Sequence, residues 1–255
     1  MSTELAIEQH GHVALLEIRR PPENYFDFAL LHEIADAGTR LQNDGKTRAV
    51  VLASEGKHFC AGANFAPGGI GDDREAASRK LYTEAIRLFD LELPIIAAVQ
   101  GSAVGGGLGL ACAADFRVAT ASSRFTANFA ALGFHHGFGL SATLPRIVGL
   151  QTAQDLLYTG RRIGGEEALG LGLVDRMADE GELRTTAIAW ATQIADNAPL
   201  AVRAIRRTLR TSLADEVRAV LGHELAQQAA LWATKDSEIG IAANLARTKP
   251  DFLGA

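Results

Sequence analysis

The segment Ala98–Thr120, AVQGSAVGGGLGLACAADFRVAT, carries a strand end, a glycine-rich turn, a helix and a second strand. Pro94–Val99 is an apolar run typical of a buried strand, and it leads directly into the turn Gly101–Gly107. The small, apolar run Leu108–Ala113 predicts a closely packed helix, and Phe116–Ala119 predicts the next strand. A strand, a turn, a helix and another strand in this order indicate a layered α/β core.

The chain before this segment alternates in the same way. Period-two patterns predict strands at Glu4–Gln9 and His12–Ile18, and the valine-rich run Arg48–Ala53 predicts a buried strand. Helical spacing of apolar residues predicts helices over Phe28–Leu41 and Glu75–Leu91.

The chain after residue 197 has a different character, with few glycines and many helix-forming residues. It predicts three helices, at Leu200–Leu209, Asp215–Ala233 and Glu238–Arg247. We therefore divide the chain into an α/β core, 1–195, and a helical region, 196–255.

An apolar face on the second of these helices predicts self-association, because so short a region cannot bury that face alone. The residues of this face are Val217, Val220, Leu221, Leu225 and Trp232.

The composition excludes several classes of protein. The 255 residues are 47% hydrophobic and 22% charged, as in an ordinary globular domain. The net charge of −5 disfavours nucleic-acid binding, which requires a basic surface. Neither a membrane span nor a signal peptide is predicted, and two cysteines are too few for a disulfide scaffold. We expect a cytoplasmic protein.

Two glycine-rich turns, His58–Asn64 and Gly101–Gly107, each follow a predicted buried strand. Small residues in a turn allow close approach to the backbone, and a turn that opens a helix directs free N–H groups outward. Two such turns that converge on one oxygen would form an oxyanion hole. Alternatively, the glycines only permit tight packing or a phosphate contact. The G-x-G-x-x-G pattern of dinucleotide-binding folds does not match.

Four segments resemble the enoyl-CoA hydratase/isomerase (crotonase) superfamily in order and spacing, and the resemblance extends from about Leu15 to Phe252. They are HFCAGANF (58–65), the opening segment, LPRIVGLQTAQDLLYTGRRIGGEEALGLGLVDRM (144–177) and ARTKPDF (246–252). The resemblance implies a spiral of ββα units followed by a helical trimerisation region. It also implies homotrimers, often paired into hexamers.

The resemblance implies an acyl-CoA substrate, with coenzyme A entering only as part of the thioester and with no other cofactor. By motif position, the backbone N–H groups of Ala63 and Gly106 would meet the thioester oxygen. The adenine ring would lie against the turn at Ala61. Arg20, in a loop that runs along the coenzyme, could meet a phosphate, or it could be an ordinary surface arginine.

The sequence departs from this family at the acid and base of the hydratases, which are two glutamates. The corresponding positions are Gly109 and Phe129, and the position of an acid that some isomerases and hydrolases use is Gly137. None of these side chains can transfer a proton, which argues against hydration by the two-glutamate route.

His135 and His136 are the candidate replacements, because they precede Gly137 near the expected acyl pocket and histidine titrates near neutral pH. A structural or surface histidine pair is the alternative. No metal site is predicted, since adjacent histidines point apart and no third ligand accompanies them.

Four other residues could lie at the acyl pocket. Tyr25 and Asp27 could reach the pocket, although Asp27 could equally cap the following helix. Tyr82 and Glu84 lie on a helix that lines the acyl pocket in relatives, and we expect Glu84 to be exposed.

The sequence therefore predicts an acyl-CoA enzyme that acts through an oxyanion or enolate, in isomerisation, C–C cleavage or thioester hydrolysis. A non-catalytic acyl-CoA-binding protein is the alternative.

Overall fold

The computed structural model describes residues 4–66, 69 and 73–255. In chain order, its elements are β1 (Leu5–His10), β2 (Val13–Ile18), α1 (Phe28–Gln42), β3 (Ala49–Ser54), α2 (Arg74–Asp90), β4 (Ile95–Val99), β5 (Ser102–Val104), α3 (Gly106–Ala113), β6 (Phe116–Ala119), β7 (Arg124–Thr126), α4 (Leu140–Val148), α5 (Leu150–Thr159), β8 (Arg162–Gly164), α6 (Gly165–Gly170), β9 (Arg176–Met177), α7 (Leu183–Ala195), α8 (Pro199–Trp232) and α9 (Lys235–Ala246). A 3-10 turn, Ala130–Leu132, lies between β7 and α4.

Six strands form the larger sheet, in the spatial order β1-β2-β3-β4-β6-β9. β1 pairs with β2 antiparallel, and the remaining pairs are parallel. Successive side chains of a strand point to opposite faces, so Val13 and Leu15 pack under α7 while Ala14 and Leu16 face the main core. Both faces of the sheet are therefore buried, which explains why its central strands are uninterrupted apolar runs.

A second sheet of three strands, in the order β5-β7-β8, lies beside the first. In its register Val104 is next to Thr126, and Thr126 is next to Arg162. The order β4, β5, α3 along the chain repeats a strand, strand, helix unit, as expected for the α/β spiral fold.

The N-terminal predictions are confirmed to within about two residues. The predicted strand Arg48–Ala53 is observed at Ala49–Ser54, and the predicted helix Glu75–Leu91 at Arg74–Asp90. These elements have strong periodicity and clear ends, so local sequence was sufficient to locate them.

The helical region differs from the prediction. Leu200–Leu209 and Asp215–Ala233 are parts of one 34-residue helix, α8, because neither glycine nor proline interrupts the chain between them. The last helix begins at Lys235, where the Thr234 side chain caps the Ser237 N–H. Within the described ranges no helix is both long and apolar enough to cross a membrane.

The predicted reason for self-association was wrong. Val217, Leu221 and Leu225 are buried in the main core of their own chain, where α8 packs against α2 and α4. Trp232 is half-buried, and its ring centroid lies 5.8 Å from that of Phe134. Other elements of the same chain thus cover this apolar face of α8. The division at residue 195 falls at the end of α7 and stays a prediction.

Candidate active site

The two glycine-rich turns lie against each other and are joined by backbone hydrogen bonds. Cys60 N–H donates to Ser102 O at 3.0 Å, and Val104 N–H donates to Cys60 O at 3.0 Å. Gly62 has φ +86°, and a Cβ there would lie 2.8 Å from Val104 O and 3.6 Å from Gly106 N. The contact therefore requires glycine at position 62 and brings the backbone of one turn to the N–H groups of the other.

Ala63 and Gly106, the predicted oxyanion residues, line the same cavity. Gly106 is the first residue of α3, so its N–H has no acceptor within the helix. No described residue accepts a hydrogen bond from Ala63 N–H. A Cβ at Gly107 would lie 2.1 Å from Cys60 O, so the start of α3 packs directly against the turn His58–Asn64.

The cavity that these turns border, called the aromatic cavity below, has a volume of about 470 Å³, and eight aromatic side chains of the described residues line it. Among the described residues that line it there is no aspartate, glutamate, histidine, lysine or cysteine. The described part of the lining therefore offers N–H and hydroxyl donors but no carboxylate or imidazole base. Its large apolar side chains include Phe26, Phe129, Phe134, Phe138, Leu132 and Trp232.

Other side chains fill the space that an acidic side chain would need at two of the positions where the family resemblance leads one to expect an acid. A Cβ at Gly109 would lie 2.5 Å from Phe138 Cβ, and a Cβ at Gly137 would lie 1.9 Å from Tyr82 Oη. Phe138 has φ +62°, a left-handed conformation that costs a bulky residue on the order of 1–3 kcal/mol. The third position, Phe129, is buried. Large side chains thus occupy the space beside Gly109 and Gly137, and Phe129 is itself packed in the core.

The structure does not bring the predicted histidine base to the cavity. His136 Nε2 lies 2.8 Å from Ser141 Oγ, and His135 Nδ1 lies 2.7 Å from His136 O. Neither residue lines the cavity. Burial, and then the neighbouring His135 and His223, lower the pKa of His136 to about 4. His135 and His136 therefore lie in the packing between the 135–141 turn and α8, which agrees with the alternative of a structural histidine pair.

Sequence reasoning missed Glu224 and Gln228, two buried polar residues of α8 that hold this turn. Glu224 is fully buried and accepts hydrogen bonds from the N–H groups of Gly139 at 2.8 Å and Ser141 at 2.9 Å. Burial raises the pKa of its carboxyl group. Gln228 accepts from the Tyr82 hydroxyl at 2.8 Å and donates to the 135 carbonyl at 3.0 Å. Their spacing within an otherwise apolar helical stripe was the available signal.

Glu84 was predicted to be exposed, and this was wrong. Its side chain is 9% exposed and lies 2.5 Å from Arg87 and 3.2 Å from His32. It does not line the cavity, whereas Tyr82, on the same helix, does. A buried carboxylate needs such partners, and an arginine three residues along the helix supplies one.

Arg20 and Asp27 are paired with each other. The Arg20 guanidinium lies 2.9 Å from Asp27 and 2.5 Å from Glu4. Asp27 also accepts from Leu30 N–H at 2.9 Å, which confirms the capping alternative. Two carboxylates already accompany Arg20, so a phosphate would have to compete with them.

A second cavity of about 820 Å³ adjoins the first, and Arg20, Tyr25 and Lys80 line it. Ala61 lines the first cavity and its N–H donates to Glu23 O at 2.9 Å. The phosphate contact of Arg20 and the adenine contact of Ala61 stay predictions.

Cys60 is buried, and burial raises the pKa of its thiol to about 12, so it is a packing residue rather than a nucleophile. In the part of the chain that the structure describes, no three histidine, cysteine, aspartate or glutamate side chains are grouped to hold a metal ion.

We predict that Gly109→Ala destabilises the protein by about 1–3 kcal/mol, because its Cβ would overlap Phe138. Gly222→Ala is the matched control, since a Cβ at that helical glycine meets nothing within 4 Å. The control should stabilise the protein by about 0.5–1 kcal/mol. Urea unfolding measures both, and equal effects would show that Phe138 does not fill this space.

The buried histidine predicts a pH dependence of stability. The pKa of His136 falls from 6.5 to about 4 on folding, so protonation favours the unfolded chain. The contribution of neutral His136 to the free energy of unfolding is complete above pH 6.5 and is lost as the pH falls towards 4. The raised pKa of Glu224 has the opposite effect on the pH dependence of stability. Glu224 is present both in the parent and in a variant that lacks His136.

His136→Gln should therefore lose about 2 kcal/mol less unfolding free energy than the parent between pH 7 and pH 5. Urea unfolding at the two pH values tests this. Identical losses in parent and variant would contradict it.

Comparison with known proteins identifies the family. The family model described as enoyl-CoA hydratase/isomerase matches residues 8–255. The chain is 32% identical over 249 residues to a short-chain-enoyl-CoA hydratase of Clostridium acetobutylicum, covering 95% of each chain. It is 32% identical over 254 residues to a probable enoyl-CoA hydratase of Bacillus subtilis, covering 98% of each.

Among solved structures, an enoyl-CoA hydratase/isomerase from Pseudoalteromonas atlantica superposes with a TM-score of 0.90 at 30% identity. The match covers 98% of this chain and 100% of that one. The fold, the two joined turns and these matches lead to one conclusion: the chain belongs to the enoyl-CoA hydratase/isomerase family, the crotonase superfamily.

Proposed function

We propose that this enzyme binds an acyl-CoA thioester in the aromatic cavity and holds the thioester oxygen with the N–H groups of Ala63 and Gly106. The observation that carries this proposal is that Ala63 and Gly106 line one cavity. They belong to two turns that backbone hydrogen bonds join, and a Cβ at Gly62 would lie only 3.6 Å from Gly106 N. Each backbone donor aimed at a developing oxyanion stabilises the transition state by about 3–4 kcal/mol. The site would thereby stabilise an oxyanion or an enolate of the thioester.

We infer that the reaction is not hydration by two carboxylates. The support is the composition of the cavity, whose described lining has no carboxylate or imidazole, and the packing of Phe138 and Tyr82 into the acid positions. Addition of water to an enoyl thioester needs a base to take a proton and an acid to return one.

Among the remaining reactions, the cavity favours C–C cleavage. Isomerisation requires a group that moves a proton between carbons, and thioester hydrolysis requires a base that activates water. Loss of CO₂ from a 2-carboxyacyl thioester requires neither, because the electron pair of the broken C–C bond stays on the enolate. Water can then protonate the enolate carbon.

A non-catalytic acyl-CoA-binding protein is the second candidate, and the same lack of a base favours it. It would retain the thioester contacts of Ala63 and Gly106 without turnover.

Turnover on a panel of thioesters separates these functions. Hydration of crotonyl-CoA should be about 10²- to 10⁴-fold slower than an ordinary enzymatic rate of about 10 s⁻¹. A 2-carboxyacyl-CoA should be decarboxylated faster than any other member of the panel reacts. Rapid hydration would refute the assignment of the acid positions, and binding without any turnover would favour the second candidate.

The oxyanion proposal predicts different effects of two substitutions at one position. Gly106→Pro removes the N–H, and proline is well tolerated at the first position of a helix. Gly106→Ala is the control, because it keeps the N–H and introduces the same contact with Phe26, whose Cζ lies 2.4 Å from the added Cβ.

We expect the rate of the reaction found in the panel to fall about 10²- to 10³-fold further in Gly106→Pro than in Gly106→Ala. Circular dichroism establishes that both variants are folded. Equal rates in two folded variants would remove the role of this N–H.

We also propose that the chain assembles as a homotrimer or hexamer, as the family resemblance implies. Its support is the first half of α8, where Leu200 is 80% exposed, Ile205 60% and Leu209 71%. Sedimentation should show a species larger than one chain at micromolar concentration, and Leu209→Lys should weaken it. A stable monomer would contradict the proposal.

A further inference from the structure

The aromatic cavity has one polar edge, which is formed by the three-stranded sheet. Val104, Thr126 and Arg162 are neighbours in register on β5, β7 and β8. Residues in register on adjacent strands direct their side chains to the same face of a sheet. All three line the cavity, so the Thr126 hydroxyl and the Arg162 side chain lie on the face that borders it.

The Thr126 hydroxyl at this edge is unpaired in the part of the chain that the structure describes. Thr126 is 8% exposed, and its Oγ has no hydrogen-bond partner among the described residues. An unpaired buried hydroxyl is costly, so such groups normally meet a ligand or a water molecule. Asn128 also lines the cavity, and its Oδ1 would lie 3.2 Å from a Cβ at Gly105.

Arg162 differs in its pairing from the arginine beside it. Arg161 lies 2.7 Å from Asp155 and 2.6 Å from Glu167, whereas no described carboxylate pairs with Arg162. The described lining of the cavity also has no acidic residue that would compete for Arg162. Arg162 is exposed as well as lining the cavity, so an anionic group bound there would meet a guanidinium that no described carboxylate neutralises.

We propose that the acyl group bound in this cavity carries a carboxylate, which the Arg162 guanidinium and the Thr126 hydroxyl hold. This rests on the proposed acyl-CoA function and narrows its substrate class to thioesters of dicarboxylic acids. Guanidinium groups bind carboxylates with paired, charge-assisted hydrogen bonds, which suits this residue type.

A phosphate of coenzyme A is the other source of anionic oxygens, and the geometry favours the acyl carboxylate. Gly105 N–H donates to Thr126 O at 2.8 Å, so Thr126 is in direct contact with the residue before Gly106. The thioester carbonyl is assigned to Gly106 N–H, whereas the pantetheine arm separates the phosphates from the sulfur. The polar edge is thus beside the acyl end of the ligand.

Calorimetric titration of the full chain tests the inference. The probes are succinyl-CoA and glutaryl-CoA, each compared with the unbranched monocarboxylic thioester of equal carbon number, butyryl-CoA or pentanoyl-CoA. Free coenzyme A is titrated as well. We expect the parent to bind at least one dicarboxylic thioester more tightly than its monocarboxylic counterpart.

Arg162→Met should weaken binding of that dicarboxylic thioester by about tenfold or more and leave its counterpart within about threefold. Thr126→Val, which preserves shape and removes the hydroxyl, should weaken the same thioester selectively. Arg161→Met is the matched control and should change neither, because that side chain is occupied by Asp155 and Glu167.

Three results would overturn the inference. The first is a parent that binds both classes equally. The second is an Arg162→Met variant that binds the dicarboxylic thioester as the parent does. The third is an equal loss for every probe including free coenzyme A, which would assign Arg162 to a phosphate. If the parent binds no thioester at all, the proposed function itself fails, and this outcome is distinct from the other three.

Discussion

The backbone hydrogen bonds between Cys60, Ser102 and Val104 are the constraint on which the site depends. They join two turns that are about 40 residues apart in sequence, as the positions in the chain show. Gly62 allows the contact, because any Cβ there would press on Val104 O at 2.8 Å. The Ala63 and Gly106 backbones consequently border one cavity. Because the arrangement is made of main chain, it does not depend on the chemistry of the side chains around it.

Large side chains pack around this frame. Phe138 fills the space beside Gly109, and Tyr82 fills the space beside Gly137. The turn that carries Phe138 is held in place from α8, where the buried Glu224 carboxylate accepts two of its N–H groups and Gln228 binds Tyr82. The helical region therefore shapes the cavity directly. The strain of Phe138 is offset by a network of buried hydrogen bonds, each contributing about 1 kcal/mol or more.

Three features of the molecule depend on packing rather than on local sequence. The apolar stripe of α8 predicted a surface for self-association, but α2 and α4 of the same chain cover it. Glu84 was expected in solvent, but Arg87 and His32 pair with it in a buried position. His136 was considered a base because it is near Gly137 in sequence, yet its imidazole faces Ser141. The helices that cover α8 and the His32 partner of Glu84 are distant in sequence, and packing sets the direction of the His136 side chain.

Sequence alone was enough to predict the α/β class, the strands and helices of the N-terminal part, and the two glycine-rich turns, since periodicity and glycine content are local properties. It also determined that Gly109, Phe129 and Gly137 cannot transfer protons. The three-dimensional structure was needed to show that Phe138 and Tyr82 fill the space beside Gly109 and Gly137, and that Arg162 and Thr126 share one edge of the cavity. Those relations depend on strand register and on the docking of α8. Both arise from contacts between residues far apart in the chain, which no local pattern encodes.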